Sequence, residues 1–128
     1  MDWRSRLLWI DGLGGAVVGV GVLLTSSWLA EWHQLPRDFL VLMGAANLAY
    51  AAYSLSLAVR ARRSRQGILL LVAANLTWAV LCLRWATVFS ATLSLTGFIH
   101  LVGEGLFVGG LALLEWRWRD LLANPARS

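Results

Sequence analysis

His100 and Glu104 stand four residues apart in a stretch that is otherwise apolar, small or hydroxylic. On a helix that spacing stacks an imidazole and a carboxyl group on one face. Such a pair exchanges a proton near neutral pH, which suits proton-coupled binding or relay. Two further polar residues, Asn47 and Asn75, interrupt two other apolar stretches, and Tyr50 shares a helical face with Asn47 and Ser54. These five side chains are the candidate ligand- or proton-binding set, with the Tyr50 hydroxyl expected to point toward Glu104. Ionisable groups at mid-membrane depth cost from ~2.5 to more than ~10 kcal/mol, so they mark function by default.

The stretches that hold them are long. Four apolar runs cover about 7–29, 39–59, 67–89 and 93–114. Each approaches or exceeds the ~20 residues that cross ~30 Å of hydrocarbon at 1.5 Å per residue. The chain has 128 residues, 59% of them hydrophobic and 14% charged, with a mean hydropathy of +0.66. The spans take up most of that length. The expectation is an all-α protein, a single transmembrane domain over 1–128, folded as an up-down four-helix bundle with short connections.

Charge sets the expected orientation. Arg4 and Arg6 precede the first span, Arg60, Arg62, Arg63 and Arg65 lie between the second and third, and Arg117, Arg119 and Arg127 follow the fourth. With four crossings these places share one side, which the positive-inside rule makes the cytoplasm, termini included. The opposite side holds Arg37 beside Asp38, and an uncharged connection at 90–94. Trp3, Trp9, Trp116 and Trp118 mark one interface and Trp28, Trp32 and Trp85 the other, while Trp78 falls within a span. The net charge of +4 comes from arginines at span ends rather than from a stripe on a soluble surface, so nucleic acid is not an expected partner. The lipid bilayer is. Lysine is absent and arginine frequent, which points to a GC-rich bacterial genome and hence a bacterial inner membrane. A cleaved signal peptide is the competing reading of the N-terminus; Asp11 and the length of the first run argue against it. The 124–128 tail is expected to fray.

Taking the arginine-rich span ends as zero depth, Asp11 lies about 6 Å in, Asn75 about 12, Glu104 about 15, Asn47 about 18 and His100 about 21. Three spans thus place Asn47, Asn75 and Glu104 in one layer about 6 Å thick. Asp11 is read as a span-end acid reaching water, and Arg84 as a snorkelling residue near the far interface. The layer has a structural reading beside the functional one: amides and carboxyls bond helices together in membranes at roughly 0.6–2 kcal/mol each.

Ala45-Ala46-Asn47-Leu48 recurs as Ala73-Ala74-Asn75-Leu76, with Tyr50 matching Trp78. In antiparallel helices this is a short inverted echo, weak as ancestry and better as matched packing faces. Gly15-x-x-x-Gly19 and Gly105-x-x-x-Gly109 allow close helix approach. They predict that the first and fourth spans pack together or form a homo-oligomer seam.

No metalloprotease, dithiol, phosphate-loop or serine-hydrolase motif occurs, so no enzymatic activity is expected. A haem would need His33 with His100, which the depth count sets ~9 Å apart. A metal at His100 and Glu104 lacks a third ligand. No cofactor is expected. The function expected is binding or passing a small solute or proton at the mid-membrane layer; the alternative is a non-catalytic assembly subunit.

Overall fold

The computed structural model describes residues 3–124; Arg127 and the tail from 125 on lie outside them. Among these residues the protein is all-helical. A 3-10 turn, Trp3–Arg6, leads into α1 (Leu7–Leu24), followed by α2 (Ser26–His33), α3 (Arg37–Ala58), α4 (Arg65–Val88), α5 (Leu95–Arg117) and α6 (Arg119–Ala123). Four helical segments, Trp3–Leu24, α3, α4 and α5, are long and apolar enough to cross a membrane.

The first expected span is shorter than its apolar run. The helix ends at Leu24 and restarts at Ser26, where the run was expected to continue to 29. Thr25 explains the break: its hydroxyl, 2.6 Å from the Gly21 carbonyl, back-bonds to the preceding turn, and two serines follow. Hydroxyl back-bonding and Gly/Ser sequences are recognised causes of helix bends. The short α2 then closes on Gln34 in the left-handed conformation (φ 56°).

Packing is strongest in two pairs, α1 with α3 and α4 with α5. A Cβ on Gly19 would lie 2.9 Å from the Gly44 carbonyl oxygen, and one on Gly15 3.2 Å from that of Asn47. On the other pair, a Cβ on Gly105 would lie 3.2 Å from the Ala79 carbonyl oxygen, and one on Gly109 3.4 Å from the Ala79 Cβ. The glycines therefore do serve helix packing, but not of the first span on the fourth. Each motif instead seats its helix on the neighbouring long helix along the chain, α1 on α3 and α5 on α4.

Two apolar clusters close the ends. One gathers Leu7, Leu8, Leu57, Ile68, Leu71, Leu111 and Leu122 at the arginine-rich end; the other gathers Val22, Leu29, Leu40, Met43, Trp78, Cys82 and Leu101 toward the opposite end. At the basic end Arg63 holds the chain together. Its Nε, Nη1 and Nη2 donate to the carbonyls of Leu57, Leu122 and Ala58 at 2.5, 2.7 and 2.9 Å. It thereby satisfies the open carbonyls at the end of α3 and fastens α6 beneath them.

Candidate functional site

Between the two helix pairs the side chains turn polar. Glu104, 7% exposed at its side chain, accepts at Oε1 from Asn47 Nδ2 (2.7 Å, α3) and from Trp78 Nε1 (3.0 Å, α4). Its Oε2 lies 3.1 Å from His100 Nε2, one turn earlier on α5. The other ring nitrogen of His100, Nδ1, lies 3.1 Å from His33 Nε2 on α2. His33 Nδ1 in turn lies 3.1 Å from the Thr96 hydroxyl at the start of α5. A run of direct contacts therefore joins Thr96, His33, His100 and Glu104.

His33 arrives there because α2 docks on the start of α5. Ser94 donates its N–H to the His33 carbonyl (3.1 Å) and its hydroxyl to that of Trp32 (2.7 Å), while Thr96 donates to Trp32 as well (3.0 Å). The unpaired carbonyls at the end of α2 are thus capped by the residues that begin α5. Gly97 permits the approach: a Cβ there would sit 2.6 Å from the His33 carbonyl oxygen. His33 is 4% exposed, and burial first, then the neighbouring His100, lowers its pKa below the ordinary histidine value.

A second polar cluster lies toward the basic end. Asn75 Nδ2 donates to Asp11 Oδ2 (2.7 Å, α1) and to Glu115 Oε1 (2.9 Å, α5). Asp11 is 7% exposed and Glu115 is fully buried; the second oxygen of Glu115 has no hydrogen-bond partner among the described residues. Between the clusters lies a cavity of about 30 Å³, lined by Asp11, Asn47, Tyr50, Asn75 and Glu104 together with Gly14, Gly15, Val18, Trp78, Phe107 and Val108. A water needs ~10–15 Å³ of such volume, so there is room for about two, with polar partners around them.

The expected layer is thus two clusters facing one cavity. Asn47, His100 and Glu104 meet directly, whereas Asn75 turns to Asp11 and Glu115, because those acids reach it from α1 and α5. Asp11 is a member of the site rather than a span-end acid in bulk water. Tyr50 lines the cavity but does not hydrogen-bond Glu104; Trp78 takes that place, and the Tyr50 and Trp78 rings pack edge to face at 5.6 Å. The two echoed asparagines play parallel parts, each donating to a carboxyl group of the other helix pair.

Four members, Trp78, Glu115, His33 and the Thr96 that follows from it, were not singled out from the sequence. Trp78 carried a signal, since a buried indole N–H needs an acceptor. Glu115 also did, as it shares the helical face of His100, Glu104 and Leu111. His33 carried none, because its place depends on the break at Thr25. Its contact with His100 replaces the ~9 Å separation expected from depth and leaves no space for a haem between the rings. Among the described residues, no three His, Cys, Asp or Glu side chains are grouped to hold a metal ion. Compared with protein-family models, curated proteins and solved structures, the chain has no match.

Proposed function

We propose that the protein is a multi-pass membrane protein that relays protons along the file Thr96, His33, His100, Glu104, cavity water, Asp11 and Glu115. The four apolar helices would cross as an up-down bundle in a bacterial inner membrane. The arginine-rich end, with both termini, faces the cytoplasm by the positive-inside rule.

The observation that carries the reading is the small cavity between the two clusters, which polar side chains from both of them line. It accommodates water and is too small for an organic solute, which favours the proton over the solute as cargo. The length of the file fits as well. Thr96 and Glu115 are nineteen residues apart on one helix, about 28 Å at 1.5 Å per residue, close to the ~30 Å hydrocarbon thickness.

The chemistry follows from the contacts. With Glu104 ionised, His100 donates from Nε2 and accepts at Nδ1 from His33 Nε2–H, and the Thr96 hydroxyl turns its single hydrogen from the Trp32 carbonyl to His33 Nδ1. With Glu104 protonated, every bond in that series can reverse. Switching between the two patterns moves one proton through both rings without moving a heavy atom far, and the proton that Thr96 gives up is replaced from the water at the membrane surface. Beyond the cavity, two carboxyl groups share the hydrogens of the one Asn75 amide. That amide joins the two carboxyl groups at the far end of the file.

Proteoliposomes carrying a potassium diffusion potential and an internal pH dye test this. Wild-type protein should acidify or alkalinise the lumen faster than empty vesicles, and Glu104→Gln should remove the difference while keeping the thermal melt. Wild-type flux equal to that of empty vesicles would overturn the proposal.

A second reading has one observation in its favour: Glu104 is already satisfied by Asn47, Trp78 and His100. On that reading the file fastens the two helix pairs in an assembly subunit. Glu104→Gln would then leave every activity unchanged.

A further inference from the structure

Where the start of α1 meets the end of α3, a groove of about 300 Å³ lies open at the basic end, away from the proton file. Trp9, Ala58, Val59 and Ala61 give it an apolar wall, and Arg60 and Arg63 supply charge. The Arg63 guanidinium makes three hydrogen bonds, all to neutral main-chain carbonyls. Arg65 differs: it has Asp120 at 3.4 Å. The last carbonyls of α3, the negative end of its dipole, are already taken up by Arg63 and by the N–H groups of Val59 and Arg60. The groove is therefore positive above an apolar wall, with an exposed tryptophan at its side.

We propose that this groove binds an anionic phospholipid. The phosphodiester lies between Arg60 and Arg63, Trp9 sits at the glycerol level, and the first acyl methylenes run along Ala58 and Val59. Val59 is 69% exposed and Trp9 39%. A free phosphate would leave that wall in water, whereas a lipid covers it, and basic pockets between spans suit anionic headgroups. The inference rests on the membrane reading of α1 and α3 and is independent of the proton file.

The test is native mass spectrometry of the full chain in detergent micelles, offered phosphatidylglycerol and phosphatidylcholine at equal mole fraction. Wild-type protein should retain phosphatidylglycerol preferentially. Arg60→Gln should lower that retention about fivefold, the factor one arginine near a lipid surface supplies. Arg62→Gln, the same charge change outside the groove, should leave it nearly unchanged. Equal retention of both lipids, no effect of Arg60→Gln, or equal losses in the two variants would overturn the groove site. Displacement of the lipid by millimolar inorganic phosphate would overturn the choice of a lipid. A protein that stays monodisperse without detergent would instead overturn the membrane reading, so the two failures are distinct.

Discussion

At the residue scale, the site depends on who holds whom. Glu104 is fixed from three helices, so its carboxyl cannot rotate away from His100 without losing Asn47 or Trp78. Trp78→Phe keeps the ring contact with Tyr50 and removes one donor; the expected cost is ~1 kcal/mol, read as a small drop in detergent melting temperature. His33 gives a signed pH effect. Its pKa is lowered in the folded protein by burial and by His100. Its share of stability is therefore complete above the ordinary histidine value of ~6.5 and declines as pH falls through the lowered one. Melting curves between pH 7.5 and pH 5 should show that decline, and His33→Gln should flatten it. A wild-type slope that His33→Gln leaves intact would assign the effect to another group.

At the element scale, the chain is two tight helix pairs joined across a polar seam. Gly19→Ala places a methyl group against the Gly44 carbonyl and the Leu48 side chain, with ~1–3 kcal/mol lost from the α1–α3 pair. Arg63→Ala strips donors from Leu57, Ala58 and Leu122, and α6 should then become the first point of proteolytic cleavage. Protection of α6 unchanged in that variant would show that the packing of Leu122 and the main-chain bond from Arg63 N–H to the Ala123 carbonyl suffice to dock it. Much of this scale was legible in advance. The expected limits of the second, third and fourth spans lie within three residues of α3, α4 and α5, because long apolar runs bounded by arginine, proline and serine leave little choice. The break at Thr25 was not legible. Its cause is a hydroxyl bonding back to a carbonyl within a run that stays apolar, and periodicity does not register that. Missing the break also hid His33. The glycine pairs were readable as packing surfaces, but spacing alone does not name the helix that fills them.

At the scale of the whole molecule, depth counting brought Asn47 together with Glu104, and the four-residue spacing on one helix added His100. Depth counting merged Asn75 into the same layer because depth has no lateral coordinate. The structure instead sets Asn75 with Asp11 and Glu115, across a cavity from Glu104. That separation is the most exposed point of the proposed relay, since the two halves of the file would communicate only through water in the cavity. Proton flux in proteoliposomes should therefore be measured for His100→Gln on one side of the cavity, Asp11→Asn on the other, and the double variant. Links in series predict that each single variant falls to the level of empty vesicles and that the double variant falls no further. Full flux in either folded single variant would contradict a continuous file through this protein.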